Sequence, residues 1–216
     1  MLDSVELFRR DLAEIADRMG LSSELSSVVS KLTELYSRGL VKINHSAMEV
    51  VAAGYLVKCG YDFVDVEHKL DGDLVCDVYG VKGFSSVVIE VETGFTPPSN
   101  ALDPNSYLIA RISSKIARYS YYAEKMILAV PPYYTPPIPS ELLKPPRDRC
   151  IDRIARLKML LDKYYKNPPV GIKELLNARL HGIMIIYVDY CRVEVIDPQS
   201  YYDSISSIVR RCSSGF

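Results

Sequence analysis

The chain has no apolar run approaching the ~20 residues that a membrane span requires. It has no C-x-x-C pair, and its five cysteines (Cys59, Cys76, Cys150, Cys191 and Cys212) are odd in number. A structural zinc site is therefore not expected and buried free thiols are the default; disulfides stay open for a hyperthermophile, where intracellular bridges form. Charge of neither sign is in excess: 26 Lys and Arg face 27 Asp and Glu, a formal net charge of −1. Any nucleic-acid binding must then come from local basic patches. The N-terminal MLDSVELFRRDL is charged and amphipathic, unlike a secretory leader, and the protein is expected to be intracellular, in the cytoplasm. No internal repeat is visible.

What is present describes a folded protein. Hydrophobic residues make up 48% and charged residues 25% of 216, enough to bury a core and too apolar for a disordered chain. Val5, Phe8, Leu12, Ile15 and Met19 recur at helical spacing up to Gly20; Leu25, Val28, Leu32 and Leu35 do so before Gly39. Residues 1–43 thus form an N-terminal helical segment. A helix-turn-helix is conceivable, but with only Lys31 and Arg38 as bases on the second helix, packing is the favoured role.

A third helix starts near Asn44 or Ser46 and stops at Gly60. The strand YDFVDVEHKL follows, then an Asp71-Gly72 turn, the strand DLVCDVYG and the strand SSVVIEVET. SYLIARISSKIARYSYYAEK reads as a helix and MILAV as a strand parallel to its predecessor, closing a β-α-β crossover. Residues 131–146 hold seven prolines and read as a rigid surface loop in preference to a polyproline ligand. A basic helix (148–166), a short helix (172–180), a hairpin and a final helix after Pro198 complete the 132–216 extension, which is expected to pack on the same domain. The fold class is α/β.

Acids inside apolar runs carry the chemical signal. Glu49 lies on the mostly apolar stripe with Ala52, Ala53 and Leu56. Asp77 sits within LVCDVY, and strand alternation gives it the face of Val75 and Tyr79. In SSVVIEVETGF the same alternation puts Val88, Glu90 and Glu92 on one face, where two like charges require a metal ion, a basic partner or solvent. Asp77 and Glu90, on adjacent strands, can converge on one point. Hard carboxylate oxygens at that spacing suit Mg²⁺ or Mn²⁺. His45 and His68 lie near these acids; a helix-start contact is expected for the first and a surface position for the second.

In its α-β-β-β-α-β order, with Glu, then Asp, then Glu-x-Glu where the family has Glu-x-Lys, the stretch 44–131 resembles the PD-(D/E)XK nuclease superfamily, which includes restriction endonucleases and archaeal Holliday-junction resolvases. The resemblance implies a restriction-endonuclease-like core: a mixed sheet flanked by helices, here with N-terminal helices and a C-terminal helix/hairpin extension. It implies a catalytic set of Glu49, Asp77, Glu90, Glu92 and Lys115, with Asp77, Glu90 and Glu49 as ligands of Mg²⁺ (or Mn²⁺). Cys76 replaces the family's proline, and Glu92 stands at its lysine. Lys115, on the following helix, is the candidate substitute; a solvated surface lysine is the competing reading. Glu92 would either help bind metal or pair with Lys115.

The expected activity is hydrolysis of DNA phosphodiester bonds by a structure-selective endonuclease, with a homodimer as the expected assembly and neither membrane nor nucleotide cofactor as partner. The alternatives are an inactive nuclease fold that binds nucleic acid or protein, and a helical adaptor with surface acids. Two stripes are candidates for DNA contact: Arg111 and Arg118 beside Lys115, and Arg149, Arg153, Arg156 and Lys163 in the basic helix. The second stripe reads equally as a solvated face laced with Asp148, Asp152 and Asp162.

Overall fold

The structure is a computed structural model that describes residues 3–213, with side chains described as far as Ile205. Three helices lead: α1 (Ser4–Arg18), α2 (Ser26–Ser37) and α3 (Ile43–Lys58). α1 starts where Asp3 Oδ1 accepts the N–H groups of Val5 and Glu6 at 2.8 Å, satisfying amides that a helix start leaves unpaired. A meander follows, β1 (Phe63–Asp71), β2 (Leu74–Lys82) and β3 (Ser85–Val91). Gly72, with φ +50, makes the first turn. Then come α4 (Pro104–Tyr119), β4 (Lys125–Val130), α5 (Ser140–Leu143), α6 (Ile151–Tyr164), α7 (Ile172–Asn177), the hairpin β5 (Gly182–Tyr187) and β6 (Arg192–Ile196), and α8 (Pro198–Ser213).

The strands form one six-stranded open sheet in chain order, β1 to β6. β1–β2–β3 and β5–β6 pair antiparallel; β3–β4 pair parallel, as the crossover pattern predicts, and β4–β5 also pair parallel. The fold is therefore α/β with a mixed sheet. Its two faces carry separate apolar layers. Phe8, Leu12, Leu32, Val50 and Leu56 of α1–α3 pack on Val87, Ile89, Val91, Ala129 and Met184. Ile112, Ile116, Ile154, Leu161 and Leu175 of α4, α6 and α7 pack on Val88, Met126, Leu128 and Ile183. Adjacent strand residues thus alternate between the layers, as strand geometry requires.

Differences from the sequence reading have local causes. α4 stops at Tyr119, short of the expected helix, where Ser120, Tyr121 and Tyr122 have weak helix propensity. The basic helix begins at Ile151, later than expected. The proline-rich segment is not only a surface loop, because Ile138 and Leu142 are buried in the second layer. Cys59, Cys76, Cys150 and Cys191 are free thiols, while Cys212 lies outside the described side chains. Among the described residues, no helix is long and apolar enough to cross a membrane.

One glycine fixes how close α3 comes to the sheet. A Cβ on Gly80 would lie 2.8 Å from Leu56 Cδ1 and 2.9 Å from Tyr61 Cδ1. Gly80→Val is expected to force α3 outward and destabilise the protein by about 1–3 kcal/mol, read by chemical denaturation. An unchanged midpoint would mean that the helix moves freely over β2.

Candidate metal centre

The site lies where strand alternation breaks. Val66 on β1 and Val78 on β2 are paired and belong to the α1–α3 layer. His68 and Cys76, two residues further along each strand, are also paired, yet Cys76 and the nearby Leu70 belong to the opposite layer. Regular alternation would have kept Cys76 on the face of Val78. The reversal passes through Glu67, whose φ of +45° is left-handed, and through Asp77 opposite it. A left-handed non-glycine residue costs on the order of 1 kcal/mol and persists only where its surroundings hold it. The sequence expectation that Asp77 shares a face with Val75 and Tyr79 fails for this reason.

Asp77 also ends the β2–β3 ladder, whose pairing runs from Val78 to Lys82. Its side chain replaces the missing backbone partner: Oδ2 accepts the Val91 N–H at 2.6 Å, and the Asp77 N–H donates to Glu90 Oε1 at 3.2 Å. From this gap Asp77 reaches both helical layers. Toward α3, its Oδ1 is 3.2 Å from His45 Nε2. Toward α4, its Oδ2 is 3.5 Å from Lys115 Nζ.

α3 supplies His45 in its first turn and Glu49 one turn later, on the same face by i, i+4 spacing. His45 Nε2 is also 3.2 Å from Glu49 Oε1. Glu49 is fully buried, and apart from this ion-pair contact neither of its oxygens has a well-formed hydrogen bond among the described residues. His45, Glu49, Glu67 and Asp77 each offer a ligand atom within 4.8 Å of the others. A buried carboxylate without a well-formed hydrogen bond, facing two further carboxylates and an imidazole, fits a divalent cation. The hard oxygens suit Mg²⁺ or Mn²⁺, and the nitrogen tilts the set toward Mn²⁺.

Beside this group lies a lysine-centred cluster. Lys115 Nζ is 3.0 Å from Glu90 Oε2 and from Glu92 Oε1, and donates to the Val91 carbonyl at 3.1 Å. Glu92 Oε1 also accepts from Arg111 Nε at 2.6 Å. The opening left by the sequence is thereby closed: Glu92 pairs with Lys115, which is largely buried and not a solvated surface lysine. Glu90 is turned onto Lys115 and the Asp77 amide and lies outside the four-residue group, whereas Glu67 and His45, absent from the expected ligand set, lie within it.

The electrostatics follow from burial and neighbours. Burial, reinforced by Asp77, pushes the Glu90 carboxyl up to about 8. Burial, with Asp77 and Glu67 adding to it, pushes Glu49 up to about 7 against the opposing pull of His45. Burial and Asp77 also raise Glu67. Burial alone would lower the His45 imidazole and raise the Asp77 carboxyl. The Asp77 and Glu49 carboxylates outweigh it and hold His45 up at about 10; Lys115, His45 and the Val91 amide hold Asp77 well below the usual range. Lys115 stays protonated, since its three carboxylates overcome its burial.

These directions fix a pH dependence. Glu49 and Glu90 have raised folded values, so the folded state binds extra protons above pH 4.5, and stability falls as pH rises through about 7 and about 8. The His45 contribution is complete below 6.5 and is lost as pH rises through about 10. The Asp77 contribution holds above 3.8 and is lost in acid. Metal-free protein is thus expected to be most stable near roughly pH 4 and to lose stability progressively toward pH 8. Mn²⁺ should offset the part of that loss that belongs to its ligands, because it binds Glu49, Glu67 and His45 in their deprotonated forms. Melting midpoints against pH, with chelator and with Mn²⁺, test this; parallel curves would contradict it.

The expected phosphate-binding stripes are largely committed within the chain. Arg149 is withdrawn from its stripe: it precedes α6, is 8% exposed, and donates to the carbonyls of Lys144, Leu175, Leu176 and Ala178. It is a structural clamp, because a buried guanidinium needs its donors satisfied. Arg111 pairs with Glu92, and Arg118 donates to the Pro168 carbonyl and lies over the Tyr165 ring. Arg153 sits 3.4 Å from Glu141, and Arg156 and Lys163 are exposed. His68 is stacked on Tyr79 with its Nδ1 2.7 Å from Asp65 Oδ2, a half-buried place that alternation did not foretell. His45 carried one usable signal, its i, i+4 spacing to Glu49. Glu67 carried none, since its role depends on the backbone reversal.

Comparisons with protein-family models, with curated proteins and with solved structures gave no match for this chain.

Proposed function

We propose that the protein is a metal-dependent nuclease that hydrolyses phosphodiester bonds in DNA, of the structure-selective endonuclease type, with a restriction-endonuclease-like core formed by α3, β1–β3, α4 and β4. The observation that carries this reading is the fully buried Glu49 carboxylate, without a well-formed hydrogen bond, within a four-ligand group adjoining Lys115. Acids held together against their repulsion, next to a charged lysine, are arranged for a cation and a phosphate.

His45, Glu49, Glu67 and Asp77 would hold the cation, which supplies charge neutralisation at the phosphate and activates water for attack on phosphorus. Lys115 places a fixed positive charge beside that group, where it stabilises the charge that develops on phosphate oxygens. Glu90 and Glu92 orient its ammonium. Glu90 also holds the Asp77 backbone, so the two clusters are positioned by one strand gap. Cutting both strands of a duplex or junction needs two such sites, which a twofold dimer supplies.

The test is cleavage of labelled duplex, single-stranded, flap and four-way-junction DNA, with RNA counterparts, under Mg²⁺, Mn²⁺ and chelator. Calorimetric titration of both metals accompanies it. Cleavage that requires metal, strongest with Mn²⁺, is the expected result. Metal binding without cleavage of any substrate would refute the nuclease reading.

A further inference from the structure

A cleft of about 860 Å³ opens directly from the acidic group, with His45 and Glu67 in its wall. Its mouth carries two exposed aromatic rings: Phe95 is 57% exposed and Tyr133 is 85% exposed. They come from different loops, one after β3 and one after β4. The loops are tied at the adjoining residues: Gly94, at φ +77, is packed so tightly that a Cβ there would lie 2.6 Å from Tyr134 Cε2. Glycine at 94 thus lets the loops close and brings Phe95 and Tyr133 to one opening. Positive charge accompanies them, since Lys42 Nζ lies 5.3 Å from the Phe95 ring centre and Arg111 lines the same wall.

Exposed rings beside a cation, leading to a metal-capable group, match one ligand chemistry. A phosphate entering the cleft meets Lys42 and the remaining donors of Arg111, whose Nε is held by Glu92, and the rings offer faces on which a base can stack. The bases of a continuous duplex stack on one another and present only their edges; a free base face belongs to an unpaired nucleotide. We infer that the cleft takes an unpaired nucleotide next to the scissile phosphate, its base against Phe95 and Tyr133, so that the substrate is a nucleic-acid strand with unpaired bases. This inference rests on the nuclease reading and narrows its substrate class.

The test uses oligonucleotides carrying 2-aminopurine, either in a single strand or flap junction or paired within a duplex. Ca²⁺ replaces the active metal, and binding is read by anisotropy and by 2-aminopurine fluorescence. The wild-type protein should bind the unpaired probes at least about ten-fold tighter than the duplex and quench them. Phe95→Leu with Tyr133→Leu, which keeps apolar bulk without a π face, should abolish the quenching and reduce the preference about ten-fold. The melting midpoint and Mn²⁺ binding of the variant show that it is folded. Equal binding of paired and unpaired probes, or a preference unchanged in the variant, would overturn the inference. If metal-dependent duplex cleavage accompanies that result, the nuclease reading survives alone; if no nucleic acid is bound or cut, both fall.

Discussion

Asp77→Asn is expected to reduce metal-dependent cleavage by about 10³-fold or more, because it removes the carboxylate that faces both the ligand group and the lysine. The substitution preserves shape, so the fold should survive. Its remaining side-chain oxygen can still accept the Val91 N–H, which caps the broken β2–β3 ladder. What it loses is negative charge between His45 and Lys115. Mn²⁺ affinity should therefore fall at least about ten-fold, a change that calorimetry resolves. Asp148→Asn, on the exposed surface away from the group, is the matched control. Cleavage retained in Asp77→Asn would remove Asp77 from the chemistry, whatever the metal titration showed.

Lys115→Met is expected to act on folding as well as on activity. Its ammonium is the common partner of Asp77, Glu90 and Glu92, and the last two are about 1% exposed. Removing one member of a buried ion cluster leaves uncompensated charge and destabilises by about 3–5 kcal/mol. For a chain of this size that lowers the melting midpoint by roughly 10 °C. Adding Glu90→Gln to Lys115→Met should recover part of the loss above pH 8, since Glu90 keeps no second cation whereas Glu92 retains Arg111 and Asp77 retains His45; denaturation of the single and double variants measures the recovery. A stable Lys115→Met protein would show that the carboxylates are protonated rather than paired.

Much of the fold was legible because its elements obey simple periods. Phe8, Leu12 and Ile15 mark α1 at helical spacing, and Asp71-Gly72 marks the hairpin between β1 and β2. The parallel β3–β4 pair follows from a helix lying between two apolar strands. The site was legible in part. Glu49, Asp77 and Lys115 were visible as charges inside apolar patterns, and the structure brings all three together. Glu67 was hidden because alternation gives it an ordinary place on β1, and only a left-handed backbone turns it toward Asp77. Arg149 misled for the opposite reason: helical spacing placed it on a stripe, whereas its segment is extended and its guanidinium is consumed by four carbonyls. Periodicity reports regular backbone, and both errors lie where the backbone is irregular.

Sheet order equal to chain order has a consequence for how the protein assembles. Every strand pairs with its neighbour in sequence, and the hairpin pairings β1–β2, β2–β3 and β5–β6 close short loops at little cost in chain entropy. All four candidate ligands lie between residues 45 and 77, and Lys115 is made later. During synthesis the helix–hairpin unit bearing three carboxylates therefore emerges before its lysine. Until α4 docks, His45 is the cation nearest those carboxylates, and a divalent cation could take the place that Lys115 later fills. If the group takes a cation, the order of residues along the chain would let the acid-rich half capture it early, with the arrival of Lys115 as the step that completes the centre.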